Sequence, residues 1–234
     1  MICSVCHKDY LRAMPDGGQY CFACHARDGQ VRPGVNAVSS FANPPLSYEL
    51  RESELDWVKK KYHLSLGDIR RYCLCGYSSW NGIHTWLMMP VYGPLMAIIG
   101  AQFRRLSDVT TDKKFITMPG SPRGMLWFSE YFTHYLPGNR YPTIAICEGI
   151  CDAIRVAEFI PAVALMGVRM TRLQQQHFAG LITPDTKIKI CLDPDAGLDA
   201  DALSRVWGKG RCDVVLLPDD PGQLTKAVLK GRLT

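Results

Sequence analysis

Two short apolar runs, at 143–147 and 188–192, end in carboxylates: Glu148 closes the first, and Asp193 and Asp195 follow the second. Each run leads through a glycine into a helical pattern. Ile150, Ala153, Ile154 and Ala157 share one face after Gly149, and Leu198, Ala202 and Val206 share one side after Gly197. Runs of this length feeding amphipathic helices predict parallel βαβ units. In such a sheet ligands gather outside the carboxyl ends of the strands. Acidic side chains placed there predict a divalent-metal site. Mg²⁺ suits it, because it takes hard oxygen ligands, keeps several waters and leans on substrate phosphates.

With 234 residues the chain has room for one large domain or several small ones. It has no run of about 18 apolar residues, and its cysteine-bearing start lacks the apolar stretch of a signal peptide. No membrane association and a cytoplasmic location are therefore expected. The ten cysteines include the pairs Cys3-x2-Cys6 and Cys21-x2-Cys24. That spacing belongs to tetrahedral zinc sites more than to disulfide frameworks. Cys3, Cys6, Cys21 and Cys24 are expected to hold one structural Zn²⁺ around a hairpin turned at 15–18, since so small a segment has too little core to fold without metal. His7 and His25 each follow a ligand cysteine, but four thiolates already fill the shell. Cys73 and Cys75 have no partner pair and, with Cys147, Cys191 and Cys212, read as structural thiols.

Charge and punctuation divide the chain further. Net charge is +5, and 12 basic against 8 acidic residues leave +4 of it between 47 and 140. Residues 1–28 carry the spaced cysteines, 29–46 form a Pro-, Gly-, Ser- and Asn-rich linker, 47–140 form the basic region and 141–234 the βα alternation. Helices are expected at 53–62 and 65–72, with strands at 85–91, 95–104 and 115–118. Beyond Pro142 come further strands at 162–166 and 214–217, and helices at 173–181 and 224–230.

Glu-Gly-x-x-Asp-Ala at 148–153, Asp-x-Asp-x-Gly at 193–197 and the later Leu-Leu-Pro-Asp-Asp-Pro-Gly at 216–222 resemble a Toprim domain. With the four-cysteine ribbon in front and a basic region between, nearly the whole chain resembles a DnaG-type bacterial primase, in the phage layout but without a fused helicase. The fold implied is α/β: a Toprim domain with a mainly parallel sheet flanked by helices, preceded by a mixed α+β basic subdomain and a small N-terminal zinc ribbon.

The resemblance also implies a chemistry and its residues. Glu148, Asp193 and Asp195 match the family's catalytic acids. Together with Asp220 they would bind catalytic Mg²⁺ or Mn²⁺, two ions by analogy. Asp219 is the neighbouring candidate for the last position, and Asp152 suits either a metal ligand or a helix N-terminus. Arg104, Arg105, Lys113, Lys114 and Arg123 match basic positions that bind nucleotide and template. Tyr10, Tyr20 and Phe22 suit either base stacking or the ribbon's own core. The activity implied is synthesis of short RNA primers from ribonucleoside triphosphates on single-stranded DNA, in a bacterial cell or phage-infected host, with any helicase acting in trans. The Asp16–Tyr20 stretch lacks the histidine that phage ribbons often carry before the third cysteine. Two other readings use the same acids. A Toprim nuclease leaves the ribbon and the basic middle unexplained. In a noncatalytic recombination mediator the zinc motif lies close to Toprim, whereas here more than a hundred residues separate Cys24 from Thr143.

Overall fold

The computed structural model describes residues 47–78, 85–92, 98–107, 114–118, 121, 124–129, 141–208 and 210–233, together with the backbone of 11–13 and 19–21. Strands β1 (Leu11–Ala13) and β2 (Gln19–Cys21) pair antiparallel, with Leu11 opposite Cys21. Cys3, Cys6 and Cys24 lie outside the described residues, as does the side chain of Cys21.

The first large sheet is antiparallel, in the order β3-β4-β5-β6-β7. Its long strands are β5 (Thr85–Tyr92) and β6 (Ile98–Arg105), and β7 (Phe115–Thr117) closes one edge. Two helices, α1 (Glu52–Tyr62) and α2 (Leu66–Arg71), stand within a residue of their expected places. Helix α2 starts on a reciprocal cap, in which Ser65 Oγ accepts from the Asp68 N–H at 3.2 Å and Asp68 Oδ2 accepts from the Ser65 N–H at 2.8 Å. Strands β3 (Ser47–Tyr48) and β4 (Cys75–Ser78) were not expected. They depend on Gly76, where any Cβ would come within 2.4 Å of the Tyr48 ring.

The second sheet has the order β12-β11-β9-β10-β8. Strands β9 (Thr143–Cys147), β10 (Ala162–Ala164), β11 (Lys187–Cys191) and β12 (Cys212–Val214) run parallel, and β8 (Trp127–Phe128) adds an antiparallel edge. Strand β8 therefore belongs with the later residues, and position 140 does not separate the two sheets. Helices α3 (Ile150–Val156), α4 (Arg172–Ala179), α5 (Gly197–Trp207) and α6 (Lys226–Leu233) complete the unit. No helix among the described residues is long and apolar enough to cross a membrane.

Alternation along β9 sorts the core into two layers. Ile144 and Ile146 pack with Phe128, Phe178 and Leu203, while the smaller Ala145 and Cys147 face α3, Trp127, Leu87, Met89 and Val58. Small residues on that face let the first sheet and its helices dock closely, so the two halves share one apolar layer. Helix α5 corrects an expectation. Leu198, Ala202 and Val206 face outward, with Leu198 89% exposed, and Ala200, Leu203 and Ser204 are buried instead. The helix carries two apolar stripes, and the inward one includes Trp207, whose ring meets Phe178 edge-on at 5.2 Å between centroids.

Candidate active site

Strands β9 and β11 are adjacent and parallel with Cys147 opposite Cys191, so their carboxyl ends lie side by side. Glu148 follows the first directly, and Asp193 stands two residues beyond the second. Asp220 arrives on the turn before Pro221–Gln223. Glu148, Asp193 and Asp220, joined by Asp152, line one cleft of about 680 Å³. Lys61, Tyr62, Gln102, Arg104, Ser107, Lys114 and Phe115, from the other half of the chain, also line it. The cleft thus opens where the two sheets meet, and it joins an acidic set to a basic and polar one.

The acids disturb one another. Burial, then the charges of Asp193, Asp195 and Asp220, push Glu148 up to about 7. Burial, then Asp220 and Asp195, push Asp193 up to about 6, and its Oδ1 is buried without a hydrogen-bond partner. Crowded half-buried carboxylates with an orphaned oxygen have the chemistry to donate to a cation. Among the described residues no three His, Cys, Asp or Glu side chains close a metal shell by themselves. Mg²⁺ fits such a set, because it is held by few protein carboxylates and fills its shell with water and phosphate. Asp195 is exposed and is not among the residues that line the cleft, although its charge reaches both Glu148 and Asp193.

Asp152 and Asp219 have structural duties. The Asp152 carboxylate accepts from the Gly149 N–H at 3.1 Å and from the Gly222 N–H at 2.8 Å, tying the start of α3 to the turn that carries Asp220. Gly222 permits this approach, since a Cβ there would lie 2.7 Å from Asp152 Oδ1 and 3.1 Å from the Tyr62 ring. Burial, then the charge of Asp193, push Asp152 up to about 7 despite both backbone donors. Asp219 is exposed and accepts from the Asp220 N–H at 2.8 Å, whereas Asp220 faces the cleft and accepts from Gln223 Nε2 at 2.7 Å. From behind, buried Arg155 donates to the Leu224 carbonyl at 3.1 Å and pairs with Glu158.

The basic candidates separate. Arg104 is buried and lines the cleft; its Nε donates to Tyr62 Oη at 2.6 Å and its Nη1 to the Arg105 carbonyl at 2.9 Å. Its guanidinium lies between the rings of Trp57 and Phe115, at 5.3 and 5.1 Å from their centroids. Arg105, one residue on, alternates to the other side of β6 and is not among the cleft-lining residues. Lys114 is exposed and lines the cleft. Lys113 and Arg123 lie outside the described residues. Gln102, Ser107, Tyr62 and Lys61 are not among the site residues expected from the sequence. For Gln102 and Ser107, nearness in sequence to Arg104 was the one signal pointing to them.

No protein-family model and no curated protein matches the sequence. Solved structures do. The primase fragment of the bacteriophage T7 primase-helicase aligns over 99% of this chain and 94% of its own, at 15% identity and TM-score 0.53. The zinc-binding and RNA polymerase domains of Aquifex aeolicus primase align over 76% of this chain and 53% of that one, at 18% identity and TM-score 0.59. The RNA polymerase domain of Mycobacterium tuberculosis DnaG, in complex with a double-stranded DNA oligomer bearing a 6-nucleotide overhang, aligns over 77% and 72%, at 16% identity and TM-score 0.59. Two sheets of these connectivities, meeting at a cleft with acids at the strand ends, give this chain the fold of the DnaG-type primases.

Proposed function

We propose that this chain is a DNA primase, joining ribonucleoside triphosphates into short primers on single-stranded DNA. One observation carries the reading: Glu148, Asp193 and Asp220 share a cleft with Arg104, Lys114 and Lys61. The proposed domains are a zinc ribbon at 1–28 held by Cys3, Cys6, Cys21 and Cys24, a linker at 29–46, a basic polymerase subdomain at 47–140 and a Toprim unit at 141–234 that borrows β8. The complex of the Mycobacterium tuberculosis domain with a DNA oligomer supports a polynucleotide as the ligand.

In the reaction a 3′-oxygen bonds to an α-phosphorus, the α–β phosphoanhydride bond breaks, pyrophosphate leaves with its electron pair and the hydroxyl proton passes to solvent. Glu148, Asp193 and Asp220, with Asp195 at the rim, would hold Mg²⁺, which when bound offsets charge on the attacking and leaving oxygens. Lys114 and Lys61 supply mobile cations for the triphosphate. Arg104, clamped by Tyr62 and two rings, supplies a fixed one. Asp152 holds the Asp220 turn in register through Gly222.

The test incubates the protein with mixed-sequence single-stranded DNA, labelled ribonucleotides and Mg²⁺. Short labelled RNA products complementary to the DNA are expected. Shortened DNA would instead mark a phosphodiesterase, and binding alone a noncatalytic mediator; either result overturns the reading. A cytoplasmic site of action and a helicase recruited in trans are part of the same proposal.

A further inference from the structure

Gln102 is out of place as a structural residue. It is 5% exposed, on the face of β6 that carries Arg104, and its strand neighbours on either side are Met89 and Thr117. Met89 belongs to the apolar layer joining the two sheets, where it meets Cys151 Sγ at 3.7 Å. An aliphatic side chain would fill that position without loss, yet Gln102 brings a carbonyl oxygen that is buried and has no hydrogen-bond partner. Such an orphan is destabilising, because the oxygen loses its water and gains no donor in return. The residue also lines the cleft, as does Ser107, whose hydroxyl is likewise buried and without a partner.

We propose that Gln102 accepts a hydrogen bond from a ribose hydroxyl of the nucleotide bound in the cleft, and so selects ribonucleotides. This rests on the nucleotide-joining function proposed above. Phosphate oxygens are acceptors and cannot satisfy the amide oxygen, and the cations Lys61, Arg104 and Lys114 are there to meet them. Base donors differ among the four nucleotides and are turned toward a template. The sugar hydroxyls are the donors that every ribonucleotide brings, so a neutral acceptor beside the basic set fits them. The terminal amide torsion is soft, which lets the oxygen swing to the cleft when a donor arrives.

The test is calorimetric binding of ATP, 2′-deoxy-ATP and 3′-deoxy-ATP, in Mg²⁺, to the wild type, to Gln102→Met (similar in size, without an acceptor) and to Gln102→Glu (acceptor kept). Wild type is expected to bind ATP about tenfold more tightly than one of the deoxy forms. Gln102→Met should lose that margin through weaker ATP binding, with affinity for the deoxy form unchanged, and Gln102→Glu should retain it. Should the Met variant fail to fold, the wild-type margin and its retention in the Glu variant decide the matter. Equal affinities in wild type, no binding at all, or a preference that survives in Gln102→Met would overturn the assignment. Primer synthesis by the wild type is read separately, so a chain that makes primers without this preference sinks the role of Gln102 alone.

Discussion

Asp193 and Glu148 give the cleft its pH behaviour. Folded, they titrate at about 6 and about 7, against about 4 in an unfolded chain. Between those values the folded chain holds protons that the unfolded chain has lost, so stability falls as pH rises through that window. Without added Mg²⁺, Asp193→Asn should therefore melt about 2–4 °C above wild type at pH 8, with the gap about halved at pH 5 and closing below about pH 4. Adding Mg²⁺ at pH 8 should raise the wild type alone. Thermal scans check this, and a variant less stable than wild type at pH 8 without Mg²⁺ would contradict it. Gly222 makes a second residue-scale case. Gly222→Ala must push its Cβ against Asp152 and Tyr62 and should cost about 1–3 kcal/mol in denaturant unfolding, while Gly231→Ala, inside α6 with nothing for its Cβ to meet, should cost nothing and stabilise by up to about 1 kcal/mol. Equal costs would show that the close approach at Gly222 is not needed.

Among the elements, α5 tests which stripe packs. Leu203→Ala removes a buried side chain and should cost about 2–4 kcal/mol, whereas Leu198→Ala, on the outer stripe, should cost under about 0.5 kcal/mol. Urea titrations that reverse this order would restore the face expected from sequence. That expectation failed for a physical reason. Leu198, Ala202 and Val206 have helical spacing, but so have Ala196, Ala200, Leu203 and Trp207, and periodicity cannot say which stripe meets Phe178. Strands β9 and β11 were legible because their apolar runs are bounded by Pro142, Glu148 and Asp193. The short strands β3, β4 and β8 have too few residues to show a period, and β8 is fixed only by pairing with β10, distant in sequence. The acids that end strands could likewise be read, while Gln102 could not. Its neighbours Phe103 and Arg105 point to the opposite face, and only the folded sheet shows which side of β6 lines the cleft.

In the whole molecule, the cleft exists because two sheets share one apolar layer. Val58, Leu87 and Met89 from the first half pack with Ala145, Cys147 and Ile150 from the second, and that contact fixes how far the cations stand from the acids. Lys61, Arg104 and Lys114 are thereby set against the strand ends of a unit, 141–234, with no net charge. A nucleotide held by both sets is the claim on which the functional account rests. Its most direct measurement is dinucleotide formation from ribonucleoside triphosphates on single-stranded DNA in Mg²⁺, comparing wild type with Asp193→Asn from one set and Lys114→Ala from the other. The account predicts product from wild type, a loss of about a thousandfold in Asp193→Asn and about a hundredfold in Lys114→Ala, with both variants folded. Full activity in Asp193→Asn would contradict it.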